Sequence, residues 1–205
     1  MTSKVDFKKT LKQLYNPKEG NFHLVEVPPM NFLMIDGIGD PNKSIDYQRA
    51  IDALYTLSYG LKFSLKPQGY DHIVPPLEGL WWMENLENFS LANKDQWEWT
   101  MMIMQPDWIN LEWVEKARKN AMMKKDNPLL EKVRFDCFTE GLSVQFLYIG
   151  SYDNEAPRIA EMHEYISNNG YQTNGKHHEI YLGDPRKTSP DRLKTILRQP
   201  VRSKN

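Results

Sequence analysis

A glutamate sits inside the strand-like run KHHEIYLGDP, residues 176–185. Glu179 is flanked by His178 and Ile180, with Tyr181 two places on. Strands disfavour glutamate, and a buried carboxylate costs free energy unless something answers its charge. Four chemistries fit: metal ligation, proton transfer, cation binding, or simple hydration at a surface. His177 and Glu179, at i and i+2, could begin a metal site, but no third ligand follows at a usable spacing, so no metal is expected. An acidic group among tyrosines can accept a proton, complement a cation or orient water. Glu78, in PPLEGLWW (75–82), is a second strand glutamate beside aromatics, although Pro75 and Pro76 could break that strand and turn it outward.

Aromatic and soft side chains could supply the walls of such a site. The chain holds six Trp, ten Tyr, eight Phe and ten Met, concentrated in segments 78–113 and 146–181. Trp97 and Trp99 share one strand parity, as two stacking walls would; core filling is the alternative. Trp81 and Trp82 point to opposite faces, so at most one lines a site. Tyr55, Tyr148 and Tyr181 each offer a ring and a hydroxyl, and Tyr148, just before Gly150, suits a rim. A planar cation would gain roughly 0.5–2 kcal/mol from each well-placed ring. His163 is expected to pack or hydrogen-bond. Nothing in sequence lowers the pKa of Cys137, so a buried structural cysteine is expected. GIGDP lacks the lysine and spacing of a phosphate loop.

Composition narrows the classes. The chain has 205 residues and a net charge of −1, enough to bury a core without staples and without the basic excess that nucleic acid or an anionic membrane calls for. The basic tail RKTSPDRLKTILRQPVRSKN (186–205) reads as a solvated edge. The one cysteine cannot form an internal disulfide, MTSKVDFKKTLKQLY lacks the apolar stretch of a signal peptide, and no run is long enough to span a membrane. A cytoplasmic location is expected, with no nucleic acid, no membrane and no obligate protein partner.

These residues need elements to hold them. Residues 4–15 could form a short helix. FHLVEVPPMNFLMIDGIGDP (22–41) reads as a bent strand pair or one strand broken at Pro28 and Pro29. Helical periodicity runs through 43–66, with Ser44 as N-cap. Segments 71–83 and 96–104 read as an antiparallel pair around the polar segment ENLENFSLANKD (84–95). An amphipathic helix fills 109–127, with Trp113, Ala117 and Met122 along one side. Residues 133–152 form a strand or hairpin with a turn at Glu140-Gly141. A helix at 157–170 ends at Gly170, and strands at 176–185 and 193–201 follow.

The order of signals repeats. NFLMIDGIGDP, helix, PPLEGLWW, WTMMIMQP in the first half matches VQFLYIGSYDN, helix, KHHEIYLGDP, LKTILRQPV in the second. We read an α+β domain of two pseudo-symmetric βαββ units, about 21–107 and 130–205, joined by the helix at 109–127 and preceded by an extension, 1–20. The architecture is an antiparallel sheet with helices on one face and a ligand cleft on the other. Ile180 and Leu182 then suit the helix face, and Glu179 and Tyr181 the cleft between the units.

PLEGLWW (76–82), WEWTMMIMQPDWI (97–109), IGSYDNEAP (149–157) and HHEIYLGDPRKTSPDRLKTILRQPV (177–201) together resemble the GyrI-like small-molecule-binding family, from about residue 20 onward. The resemblance implies the same tandem βαββ fold. It also implies kinship with effector-binding domains of multidrug-responsive regulators, in which a glutamate deep in an aromatic pocket meets cationic planar drugs; Glu179 falls at that position. The chain resembles the stand-alone members, since no DNA-binding domain is evident. Some of those hydrolyse cyclopropane-bearing, DNA-alkylating natural products.

Two functions follow as expectations. In the first, a cofactor-independent hydrolase of planar aromatic electrophiles, Glu179 positions or deprotonates a water. A tyrosine hydroxyl, with Tyr148 the nominated one, meets the substrate carbonyl. Tyr55, Glu78, Trp81, Trp97, Trp99 and Tyr181 line the binding site. In the second, the same pocket binds or sequesters cationic aromatic drugs without turnover. A gyrase-inhibitor role, suggested by the family's name, has no protein-facing patch in the sequence to support it.

Overall fold

The computed structural model describes residues 4–83 and 91–204, leaving aside the side chains of 91–93. The 84–90 part of the polar segment between the two tryptophan-bearing strands lies outside the described residues. In chain order the elements are α1 (Phe7–Thr10), α2 (Lys12–Tyr15), β1 (His23–Val27), β2 (Met30–Ile38), α3 (Ile45–Leu65), β3 (Leu77–Trp82), β4 (Glu98–Gln105), α4 (Leu111–Met122), β5 (Arg134–Phe138), β6 (Gly141–Ile149), α5 (Ala156–Asn168), β7 (Tyr171–Thr173), β8 (His177–Tyr181) and β9 (Lys194–Ser203). The chain is α+β, and its strand ladders are antiparallel. Among the described residues no helix is long and apolar enough to cross a membrane.

The chain divides into two compact units, neither continuous in sequence. The first comprises Met1–Asp6, Met30–Pro75 and Trp81–Phe138; the second comprises Phe7–Pro29, Pro76–Leu80 and Thr139–Asn205. The prolines at 28 and 29 do break the extended segment, leaving β1 in the second unit and β2 in the first. The segment 133–152 is two strands rather than a hairpin: β5 pairs with β2, and β6 with β1 and β9. Residues 4–15 form two single turns, α1 and α2.

In the first unit α3 begins where Ser44 Oγ accepts from the Tyr47 N–H at 3.2 Å, satisfying one of the free donors of the first turn. Its face of Ala50, Leu54, Leu57, Leu61 and Leu65 is buried. β2 is central to its ladder, between β4 and β5. Cys137 is exposed on β5, not buried as expected; Asp136 and Cys137 both face solvent where the ladder ends. The buried side of α4 is Val114 and Ala117, with Met122 exposed.

In the second unit the ladder runs β1-β6-β9-β8, with β7 also on β9. In the basic tail Arg186, Lys187, Arg192, Lys194, Arg202 and Lys204 are exposed as expected, but the strand they flank is not an edge. β9 is central, and seven consecutive residues, Thr195–Val201, are buried. Arg198 is wholly buried because a buried carboxylate meets it, a pairing that sequence does not display. One face of the ladder packs Val144, Phe146, Tyr148, Leu197 and Val201 against Met162 and Ile166 of α5. Gly170, with φ 82°, ends that helix as expected.

Candidate active site

Cross-strand partners project to the same side of a ladder. Glu179 is opposite Leu197, which is opposite Phe146. Tyr181 is opposite Thr195, which is opposite Tyr148. Phe146, Tyr148 and Leu197 pack on α5, so Glu179 and Tyr181 lie on the α5 side. The expected alternation along β8 holds, but Glu179 does not lie on the face away from the helices. Ile180 is buried as well, because the other face carries packing of its own.

Glu179 is withdrawn from solvent, with 17% of its side chain exposed. Its Oε2 accepts from the Tyr181 hydroxyl at 2.8 Å. At the head of α5 stands Glu155, 4% exposed. Burial pushes the Glu179 carboxyl up to about 7, opposed by the Tyr181 hydrogen bond and the positive charge of His178. Burial, then the nearby Glu179 charge, pushes Glu155 up to about 9. The two carboxyls titrate as a pair, because loading one with charge raises the cost of charging the other. Near neutrality the pair keeps at least one proton, so it offers a donor and an acceptor in one place.

Two further tyrosines stand near the pair. The Tyr152 ring meets Tyr181 edge-on at 5.7 Å. Burial and the charges of Glu155, Glu179 and Asp184 push its phenol up to about 12, so it stays a donor. The Tyr148 hydroxyl donates to the Ser151 carbonyl at 3.0 Å, and burial and Glu155 raise its pKa. His177 Nε2 is 3.7 Å from Glu179 Oε1. Burial and two neighbouring histidines hold that imidazole down to about 3, so it is neutral. Thr195 and Gln199 stand beside Glu155 and His177 and act as their hydrogen-bonding neighbours.

The opposite face of β8 is arranged differently. His178 is buried, with Nδ1 2.8 Å from Glu140 Oε1 and Nε2 3.0 Å from Glu78 Oε2. Burial alone would lower the imidazole pKa, but Glu140 and Glu78 raise it to about 9. Glu140 goes the other way, to about 2, because His178 and Arg198 overcome its burial. Glu78 is thus a buried partner of His178 and of the Tyr15 hydroxyl, which donates to it at 2.7 Å.

The other nominated aromatics fall in the first unit. Trp81 lies 5.7 Å from Trp97 and 6.0 Å from Tyr47, and Trp99 meets Tyr47 edge-on at 5.2 Å. Trp99 is buried over Gly37, whose missing Cβ leaves room for the indole. Trp97 is only partly buried. Tyr55 stacks on Tyr59, and Tyr59 on Phe63, along α3. Among the described residues no group of three or more His, Cys, Asp and Glu could hold a metal ion.

Residues 20–202 match the GyrI-like small molecule binding domain. The chain belongs to that family. No protein of curated function matches it. An uncharacterized conserved protein from Listeria innocua is 43% identical, with 97% of this chain and 100% of that chain covered and a TM-score of 0.90. A hydrolase from Listeria innocua is 41% identical, with 98% and 100% covered and a TM-score of 0.88. The EcmrR C-terminal domain, at 12% identity, covers 89% of this chain and 98% of its own with a TM-score of 0.57, a likeness of fold.

Within this GyrI-like domain, sequence reasoning missed Glu155 and Tyr152. Both stand in IGSYDNEAP, which reads as a turn entering a helix. An acidic residue two places before a helix-starting Pro157 was the available signal, and by itself it resembles an ordinary helix entrance.

Proposed function

We propose that this GyrI-like domain hydrolyses planar aromatic electrophiles, cyclopropanoid genotoxins among them, with Glu179 as the base. One observation carries the reading: a withdrawn carboxylate, hydrogen-bonded by Tyr181, whose burial and acidic neighbour Glu155 raise its proton affinity toward the working range. A base poised near the working pH is the most effective in proton transfer. Two relatives at 41% and 40% identity, each aligned over at least 97% of this chain, are hydrolases from Listeria innocua, which supports the reaction class.

In the proposed step Glu179 takes a proton from water as its oxygen bonds to the electrophilic cyclopropane carbon. The strained carbon–carbon bond breaks, and its electron pair passes into the conjugated carbonyl of the substrate. Protonated Glu155 returns a proton to that system, and exchange with solvent resets both carboxyls. Tyr152, at the exposed rim, donates to the carbonyl oxygen as charge develops there. Tyr148 has its proton engaged by Ser151, so it braces this end of the site.

The second reading is binding without turnover. Burial raises both Glu155 and Glu179, so a cationic aromatic ligand would bind by drawing protons off the pair. One experiment separates the two. Purified protein is incubated with a cyclopropanoid, and products are followed by absorbance and mass. The hydrolase reading expects multiple turnovers and a ring-opened product heavier by one water. It also expects Glu179→Gln to lose turnover by about 10²–10⁴-fold while binding persists. Stoichiometric binding with no product, accompanied by proton release to buffer, would leave the binder.

A further inference from the structure

The family match begins at residue 20, yet residues 13–15 close a ring of buried polar contacts in the second unit. The Tyr15 hydroxyl donates to Glu78 Oε1 at 2.7 Å. Glu78 Oε2 lies 3.0 Å from His178 Nε2. His178 Nδ1 lies 2.8 Å from Glu140 Oε1, and Glu140 Oε2 accepts from Arg198 at 2.9 Å. Arg198 then donates to the Leu14 carbonyl at 2.9 Å and to Gln145 Oε1 at 2.8 Å. Gln145 Nε2 donates to the Gln13 carbonyl at 2.7 Å. The ring starts on α2 and ends on α2. It holds two carboxylates, one guanidinium and one imidazole, and every charged member is at most 1% exposed at the side chain.

We propose that α2 is a working part of the Glu179 site. It locks the His178 side chain as a fixed cation behind Glu179, on the opposite face of β8, and so makes His178 a positioning residue for that carboxylate.

Geometry gives the reason. Residues 178 and 179 are neighbours on one strand, and the cation cannot turn to solvent or leave its two carboxylates. Burial and low dielectric make its field felt across the strand. The groups facing His178 are Glu78 from β3, Glu140 ahead of β6 and, through Glu140, Arg198 from β9. Those facing Glu179 are Tyr181 and His177 on its own strand, and Glu155 and Tyr152 beside α5. The His178 cation acts on Glu179 and favours the ionised carboxylate. A clamp that served folding alone would leave the titration of Glu179 untouched.

The inference rests on Glu179 being the base, so its test does not depend on turnover. Carbon-13-labelled glutamate is incorporated and the Glu179 carboxyl resonance, assigned by its loss in Glu179→Gln, is titrated. In His178→Gln the midpoint is expected to move upward by about half a pH unit or more, equivalent to about a three-fold change in the ionised fraction on its acid side. Tyr15→Phe, which unhooks α2 from Glu78, shifts it in the same direction by less. Where substrate turns over, the rate deficit of both variants is greatest at low pH and shrinks as pH rises. Should His178→Gln fail to fold, Tyr15→Phe and the charge-neutral double variant Glu78→Gln/His178→Gln carry the test. Folded variants with an unmoved Glu179 midpoint overturn the proposal. Absence of turnover in the wild type overturns the hydrolase reading and leaves the carboxyl titration to decide this one.

Discussion

The two faces of β8 handle buried carboxylates in opposite ways. Toward α2, Glu78 and Glu140 are matched by His178 and Arg198, and Glu140 is held down to about 2. Toward α5, Glu155 and Glu179 meet hydroxyls and each other, and both carboxyls are pushed up. Adjacent residues on one strand thus sit in a compensated and an uncompensated environment. Buried charge with a partner is structural; buried charge without one stores free energy that a substrate or ligand can release.

Removing the compensating cation should have the largest effect. Arg198→Leu leaves Glu140 short of its guanidinium, and a broken buried pair costs about 3–5 kcal/mol. Urea denaturation of that variant should show a loss of this size; a loss below ~1 kcal/mol would mean that the ring is not what holds this face.

The uncompensated face should behave in reverse. Glu155 has its folded-state affinity raised from 4.5 to about 9. Its unfavourable contribution is absent below about 4.5 and grows as pH rises toward the folded value. Glu155→Gln should therefore stabilise the protein, by at most ~1.4 kcal/mol for each pH unit above that point. Thermal melts at acid, neutral and mildly alkaline pH test the trend. A gain that is flat with pH contradicts the assignment.

His178 supplies the opposite sign. Its folded value is about 9 against 6.5 for the free imidazole, so its stabilisation is complete below 6.5 and lost as pH rises through 9. In His178→Gln that alkaline decline should flatten. The smallest effect on stability belongs to Tyr181→Phe. Losing the hydroxyl that favours ionised Glu179 should raise its titration midpoint by about half a pH unit, with stability changed by about 1 kcal/mol. A midpoint that falls instead would remove Tyr181 from the site.

Much of the scaffold was legible in local chemistry. Ser44 announced the start of α3, Gly170 the end of α5, and the prolines at 28 and 29 the break between β1 and β2. Alternation along β8 was legible too, and it singled out Glu179. The direction of that alternation was not, because apolar residues can be buried on either side of a strand when both sides are covered. Arg198 was misjudged for a related reason. A charged residue in a tail reads as solvated unless its carboxylate partner is known, and Glu140 lies 58 residues away. Glu155 was hidden by its position in a turn, where acidic residues are common for reasons of helix electrostatics. The division into units was the least visible feature, since it exchanges β1 and the head of β3 between stretches that look continuous in sequence.

The chain's one thiol belongs to Cys137, which is exposed near the end of the first unit's last strand, on a side chain that neither carboxylate cluster uses. A maleimide dye or spin label can therefore be attached to the wild-type protein at a single defined point, without prior cysteine removal. Ligand titrations can then be reported optically from a chain whose acidic residues are all intact.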